Sequence, residues 1–133
     1  MSESPIEVIR DKLTKYPEAR FRRGDNFIVV MPRDESGFEV GLREDRDGYT
    51  VNFDGWHEAF EDREAALNCF AFGLSSGCRL HVEVRGAFRC KWVLEYEANG
   101  QWYEDSTVGL IFFPFWRRPK TIYLQNHLIP PDA

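Results

Sequence analysis

The sequence predicts an α+β protein, with a mostly antiparallel sheet of about seven strands and two helices on one face of the sheet. Two segments repeat apolar residues at helical spacing behind a capping residue, and a larger number of short segments alternate apolar with polar residues. Turn signals between consecutive strands favour antiparallel neighbours. The order is helix, three strands, helix, then four or five strands. At 133 residues the chain has the usual length of one domain, which we expect over 1–133.

Both helices have recognisable starts and ends. Ser4 is a capping residue, Pro5 suits the first helical position, and the Glu7 side chain can bond back to the cap. The apolar face of this helix consists of Ile6, Ile9, Leu13 and Tyr16. Asp62 is the predicted cap of the second helix, and Gly77 is its predicted end. The buried face of the second helix consists of Ala66, Leu67, Phe70 and Leu74.

The strands fall into two groups, one before and one after the second helix. The first group covers 26–32, 38–43 and 49–54, with an Asp47-Gly48 hairpin turn between its last two members. The second group covers 80–84, 88–96, 101–105, 108–116 and 121–125. Within it, Asn99-Gly100 is the strongest hairpin signal in the chain. We expect most of these strands to be apolar on one side only, and those at 26–32 and 108–116 to be apolar on both faces.

The strand predicted over 108–116 is exceptional because none of its nine residues, VGLIFFPFW, is polar. Such a run is typical of either the most buried strand of a fold or a surface held for a partner or ligand. We expect its inner residues, Leu110 and Phe112, to be core. The outer residues are Ile111, Phe113 and Phe115. Pro114 predicts a bulge or an edge, since proline cannot donate to the strand ladder.

Two helices cover only one face of a wide sheet, so the outer residues of the run need a cover of their own. Large exposed apolar patches are uncommon on monomers and usually mark interaction. Three covers are open: the tail residues Leu128 and Ile129 if the sheet curls, a second copy or another protein, or a ligand in a cleft.

The most reaction-like segment is 54–58, which we place in a loop between the third strand and the second helix. His57 could act as a general base near neutral pH, with Asp54 or Glu58 orienting it. The simpler interpretation is a turn at Asp54-Gly55, with Trp56 in the core and His57 in solvent.

No metal or cofactor site is predicted. His57, His81 and His127 could bind zinc only if the fold brings them together, and no ligand spacing supports this. The cysteines lack C-x-x-C spacing, which argues against a disulfide framework. Two of them, Cys69 and Cys90, resemble small core residues, whereas Cys78 follows a glycine and is expected to be more exposed.

Composition limits the partners. The net charge is −5, with −6 carried by residues 1–66 and +1 by residues 67–133. An acidic chain is a poor general binder of nucleic acid. No apolar run approaches the roughly 18 residues of a membrane span. An N-terminus unlike a signal peptide, together with unpaired cysteines, favours the cytoplasm.

A basic cluster follows the apolar run. Arg117, Arg118 and Lys120, beside Trp116, could grip a phosphate, stack a base or anchor the protein at a membrane surface. The cluster is equally typical of a polar turn that ends a buried strand.

We therefore expect a non-catalytic module that binds a partner protein or a second copy of itself through an aromatic and basic surface at 111–120. Its residues are Ile111, Phe113, Phe115, Trp116, Arg117 and Arg118. The alternative is an enzyme or small-molecule binder that uses the 54–58 loop, with His57, over an aromatic cleft.

Overall fold

The computed structural model describes residues 4–129, and within them it contains two helices and nine strands. In chain order these elements are α1 (Pro5–Leu13), β1 (Arg20–Arg23), β2 (Phe27–Met31), β3 (Val40–Glu44), β4 (Tyr49–Phe53), β5 (Trp56–Phe60), α2 (Arg63–Leu74), β6 (Cys78–Arg85), β7 (Phe88–Ala98), β8 (Gln101–Gly109) and β9 (Pro119–Leu124). The predicted α+β class is confirmed. The single domain predicted over 1–133 includes residues 1–3 and 130–133, which lie outside the described residues.

The strands form two antiparallel sheets rather than one sheet. The first sheet has the order β1-β2-β3-β4-β5, and the second has the order β8-β7-β6-β9. Two of the nine strands, β1 and β5, fall where the sequence had predicted no strand. Both are edge strands whose residues are largely exposed, so neither has the alternation that a half-buried strand requires.

The helix starts are capped by the predicted side chains. Ser4 Oγ accepts a hydrogen bond from the Ile6 amide at 3.2 Å, and Asp62 Oδ2 accepts one from the Ala65 amide at 3.0 Å. Two details differ from prediction. The Glu7 carboxylate forms ion pairs with Arg10 and Arg23. Helix α2 ends at Leu74, three residues before Gly77.

Both predicted hairpin turns are confirmed. The Asp45 amide donates to the Gly48 carbonyl at 2.7 Å and closes the β3–β4 turn. Asn99 and Gly100 join β7 to β8 with φ values of 54° and 78°. A type I′ turn needs positive φ at both central positions, and asparagine followed by glycine adopts it at low cost.

Residues from both helices and both sheets share one apolar core. Helix α2 packs on β3, β4, β5 and β6, and α1 packs on β2 and α2. The largest fully buried side chains are Ile6, Ile28, Val40, Leu42, Val51, Phe53, Trp56, Leu80, Val82 and Leu94. The helices therefore cover the inner face of the first sheet, as predicted.

Two tryptophans connect the sheets reciprocally. Trp56, on β5, donates from Nε1 to Ser106 Oγ on β8 at 2.9 Å. Trp92, on β7, donates from Nε1 to Asp54 Oδ2 in the β4–β5 turn at 2.7 Å. A Cβ at Gly55 would lie 2.2 Å from the Trp92 ring, so only glycine allows this close approach.

The strand predicted over 108–116 is wrong beyond its first two residues. Strand β8 ends at Gly109, and 110–118 is a loop. Leu110 and Phe112, expected in the core, are exposed. The physical reason is the topology. The last ladder contact of β8 joins Gly109 to Lys91, the Leu110 amide still donates to the Cys90 carbonyl at 2.8 Å, and the chain then leaves β7 and crosses to the far edge of the sheet. β-propensity alone does not keep a segment paired where the topology takes the chain away from the neighbouring strand.

Asn126 is a buried polar residue that ties three backbone groups together. Its Oδ1 accepts from the Phe38 amide at 3.1 Å, and its Nδ2 donates to the carbonyls of Phe38 at 3.0 Å and Gly73 at 2.9 Å. The residue is 8% exposed, so water cannot readily replace these bonds.

Replacing this amide should destabilise the fold. Asn126→Asp replaces the Nδ2 donor with a carboxylate oxygen, so the Phe38 and Gly73 carbonyls lose their hydrogen bonds and face a negative charge. We expect the free energy of unfolding to fall by about 2–4 kcal/mol. Urea denaturation followed by circular dichroism measures it. Asn68→Asp, on the exposed face of α2, is the matched control and should change stability by less than about 0.5 kcal/mol. Equal shifts in both variants would contradict the structural role of Asn126.

Candidate functional site

The loop at 110–118, hereafter the aromatic loop, crosses one end of the four-stranded sheet. It leaves β8 at Gly109, which pairs with Lys91, and enters β9 at Pro119, which pairs with Arg85. The strand order is β8-β7-β6-β9, so the loop passes the β6–β7 turn at 86–87 on its way from one sheet edge to the other.

Most side chains of the aromatic loop face solvent. Ile111 is 86% exposed and Phe112 is 91% exposed, and Phe115 and Trp116 are 72% and 71% exposed. Phe88, at the start of β7, adds a further exposed ring at the same end of the sheet. The tail residues Leu128 and Ile129 do not cover them, because Ile129 bonds to Leu74 beside the end of α2. Within residues 4–129 this apolar surface has no cover.

Arg85 holds the aromatic loop against the end of β6. Its Nη1 donates to the Phe115 carbonyl at 3.1 Å and to the Arg117 carbonyl at 2.8 Å. The guanidinium carbon lies 5.2 Å from the centre of the Phe113 ring, and Nε pairs with Glu83 at 3.3 Å. Phe113 is accordingly the least exposed of the large apolar side chains in the loop, at 37%. Of the three predicted outer residues, Phe113 is thus the one that packs partly on the protein itself.

The loop also has internal order. The Phe115 amide donates to the Phe113 carbonyl at 2.8 Å, and the Arg117 amide donates to the Pro114 carbonyl at 3.0 Å. The Phe115 and Trp116 rings meet edge to face, with centroids 5.4 Å apart. These contacts give the exposed rings a defined arrangement on the surface.

The same end of the molecule is basic. Segments 84–94 and 106–125 together contain six lysines or arginines and no aspartate or glutamate. Arg85 pairs with Glu83, and Arg89 pairs with Asp54 at 2.8 Å. The remaining four make no ion pair within the described part of the chain, and they are Lys91, Arg117, Arg118 and Lys120. Cations therefore surround the exposed rings in a chain whose net charge is −5.

The 54–58 segment has the simpler arrangement considered above. Asp54-Gly55 is a turn, Trp56 is buried, and the exposed His57 lies with Nδ1 3.3 Å from the Gly55 carbonyl oxygen. Instead of the predicted loop, residues 56–60 form edge strand β5. His57 and Glu58 are consecutive on it and point to opposite faces. The Asp54 carboxylate is bound to Trp92 and Arg89, so these three side chains do not converge.

The three histidines lie in different surroundings. His81 packs against Tyr123 on the outer face of the second sheet, with the rings tilted by 44° and their centroids 5.0 Å apart. His127 lines a cleft that includes Asp34. Among residues 4–129, no group of three or more His, Cys, Asp or Glu side chains is arranged to hold a metal ion.

The outer face of the second sheet carries a further aromatic cluster, which the sequence did not indicate. The Arg79 guanidinium lies between Trp102 and Tyr123, 4.4 Å and 4.3 Å from their ring centres. It also pairs with Glu95, which in turn lies 3.9 Å from His81. Each charge in this cluster already has a partner, which is typical of a structural contact across strands.

Two clefts are too small for a typical ligand. One, of about 120 Å³, lies beside Asn126, and one, of about 140 Å³, lies between α1 and α2. Sites for small molecules usually measure about 300–1,000 Å³. A third cleft, of about 320 Å³, is an open depression at the end of α1 beside Tyr16 and Phe21. None of the three is lined by residues of the 54–58 segment.

The cysteines are protected. Cys78 is fully buried, so the expectation that it is more exposed is wrong, and Cys90 is also buried. Burial, with the charges of Glu58 and Asp105, raises the pKa of the Cys69 thiol to about 12, and burial also raises the pKa of Cys78. None of the three has the environment of an activated nucleophile.

No helix among the described residues is long and apolar enough to cross a membrane. No protein-family model, curated protein or solved structure matches the chain.

Weakening the Arg85 contact should loosen the aromatic loop. Arg85→Lys keeps the charge but shortens the side chain and removes Nη1, the nitrogen that donates to both carbonyls. We expect chymotrypsin to cleave at 112–116 about tenfold faster. Limited proteolysis with mass spectrometry measures this. Arg22→Lys, on exposed strand β1, is the control and should leave the rate unchanged. An unchanged rate in Arg85→Lys would contradict the anchoring role.

The thiols should be inert in the folded protein. At about pH 8 we expect Ellman's reagent to react with none of the three cysteines before unfolding and with all three after it. Burial keeps the reagent from Cys78 and Cys90, and the raised pKa of Cys69 and Cys78 suppresses their thiolates. Gln101→Cys, at the exposed start of β8, is the positive control and should react at once. Rapid labelling of a native cysteine would contradict the packing around it.

Proposed function

We propose that this protein is a non-catalytic interaction module and that the aromatic loop is its contact surface. The residues of this surface include those that the sequence singled out: Ile111, Phe113, Phe115, Trp116, Arg117 and Arg118. Two additions come from the structure. Phe112 belongs to the surface because it is exposed, and Phe88 belongs because the β6–β7 turn lies beside the loop.

The observation that carries the proposal is the exposure of ordered apolar side chains. Four large residues of one loop are more than 70% exposed, at Ile111, Phe112, Phe115 and Trp116. Fully burying each such side chain is worth roughly 1.5–3 kcal/mol, so a partner that covers several of them gains considerable binding energy. Contiguous exposed patches of this kind mark interaction sites.

The anchoring of the loop supports a binding role as well. Arg85 bonds to two loop carbonyls, which orders the backbone before any partner arrives. A contact surface that is already ordered loses less conformational entropy on binding. An aromatic stretch that served only to link two strands would not need such an anchor.

The alternative catalytic role has weaker support. It requires His57 and an acidic side chain at one concave site, whereas His57 and Glu58 lie on opposite faces of β5 and Asp54 is bound to Arg89 and Trp92. No specific observation favours a reaction at this position.

A photo-crosslinking residue in the loop tests the proposal without assuming the class of partner. With p-benzoylphenylalanine at position 112, we expect crosslinks in the cells that express the protein. The same residue at Tyr103, an exposed ring on β8 outside the loop, is the matched control and should give far fewer. Crosslinking at position 112 no higher than at position 103 would overturn the proposal.

A further inference from the structure

The geometry points to the surface of an anionic lipid bilayer as the partner of the aromatic loop. This inference rests on the proposed function and names the partner of the same surface. In the bound state, the exposed rings enter the region between headgroups and acyl chains, and the surrounding cations contact lipid phosphates. The protein therefore lies on the membrane and does not cross it.

The first reason to infer a bilayer is the shape of the surface. The aromatic loop projects from the end of a sheet, and its most exposed side chains, Ile111 and Phe112, are almost fully in solvent. A stable protein interface commonly buries about 800 Å² on each partner and uses about 20–30 residues a side. A single nine-residue loop with the neighbouring Phe88 is smaller than that. Shallow insertion into a bilayer needs only such a projecting set of apolar side chains.

The second reason to infer a bilayer is the types of residue in the loop. Tryptophan is enriched where acyl chains meet headgroups, because its ring is apolar and its N–H stays hydrated. Trp116 stands immediately before Arg117 and Arg118, so an inserted indole would place both guanidinium groups near the headgroups. Guanidinium binds phosphate oxygens in a bidentate manner, which suits phospholipid headgroups.

The third reason, which favours an anionic bilayer, is the distribution of charge. Lys91, Arg117, Arg118 and Lys120 make no ion pair within residues 4–129 and lie at the end of the sheet that bears the rings. Each basic residue near an anionic membrane strengthens binding by about fivefold. The overall charge of −5 favours an orientation in which this end faces the membrane and the acidic remainder faces away.

The same charges disfavour a second copy of the chain as the partner. A two-fold contact between two aromatic loops would bring Arg117, Arg118 and Lys120 of one copy close to the same residues of the other. Like charges that face each other across an interface oppose association. An anionic surface has the complementary sign.

Vesicle binding tests the inference directly. We expect the protein to co-float with vesicles of phosphatidylcholine mixed with phosphatidylglycerol, and to bind pure phosphatidylcholine vesicles much more weakly. Added salt should weaken the first interaction, since it screens the cations. Absence of binding to the anionic vesicles would overturn the inference.

Two variants separate the apolar and the electrostatic contributions. Phe112→Ser with Trp116→Ser should weaken binding to anionic vesicles by at least about tenfold. Arg117→Gln with Arg118→Gln should weaken it by about 25-fold, at fivefold for each charge. Circular dichroism verifies that both fold. Binding that survives both pairs of substitutions would overturn the inference.

Matched controls lie on other surfaces of the protein. Tyr103→Ser removes an exposed ring from β8 outside the loop, and Arg22→Gln with Arg46→Gln removes two exposed cations from the first sheet. Both should bind vesicles like the original protein. If they lose as much binding as the loop variants, the attraction comes from general charge or apolarity and the inference fails.

Bromolipid quenching shows whether the loop itself enters the bilayer. Trp56 and Trp92 are buried and Trp102 is partly buried, so Trp116 is the tryptophan that brominated acyl chains should quench. Trp116→Phe keeps an apolar ring and should still bind, but most of the quenching should disappear. Binding with unchanged quenching in this variant would place the contact elsewhere and overturn the inference.

The outcomes distinguish this inference from the proposed function. A crosslink from position 112 to a protein, without vesicle binding, would leave the interaction module standing and overturn the lipid partner. A concentration-dependent dimer in sedimentation velocity, abolished by Phe112→Ser, would also leave the interaction module standing and overturn the lipid partner. No specific crosslink and no vesicle binding would overturn both.

Discussion

The reciprocal tryptophan contact determines how the two sheets are joined, and the position of the candidate surface depends on it. Trp56 reaches from the first sheet to Ser106, and Trp92 reaches back from the second sheet to Asp54. Each indole buries a large ring and also satisfies its N–H, so packing and hydrogen bonding favour the same arrangement. Arg89 bonds to the same Asp54 carboxylate. The start of β7, and with it the β6–β7 turn, is therefore held against the first sheet.

That arrangement explains why one end of the second sheet carries the unusual surface. The chain leaves β8 at one edge of the sheet and must reach β9 at the other, so a crossing segment is unavoidable. Here the crossing segment is apolar, and Arg85 holds it through the carbonyls of Phe115 and Arg117. A polar crossing would satisfy the topology equally well. The topology therefore requires a crossing segment but not an aromatic one, and the proposed contact role accounts for the aromatic side chains.

The sequence alone indicates most residues of the candidate surface, although it predicts a strand where the structure has a loop. The run that ends at Trp116, followed by Arg117 and Arg118, was recognised as core or contact surface from composition alone. Its loop conformation was not, because composition does not show where the chain must leave one strand to reach another at the far edge of the sheet. Arg85 and Phe88 were missed, since their role depends on a turn that lies close to the loop only in the folded chain. A basic stretch without acids at 84–94 was the available signal.

The sequence by itself determined the local features of this protein. These are the caps at Ser4 and Asp62, the Asn99-Gly100 turn, the strands in which buried and exposed residues alternate, and the α+β class that follows from them. These features depend on residues a few positions apart, so their physics is contained in short segments. Only the tertiary structure decided that the strands divide into two sheets, that Asn126 bonds to Phe38, and that residues 110–118 form an exposed loop. Each of these depends on groups brought together from distant positions, and pairing and burial, unlike propensity, are properties of the whole fold.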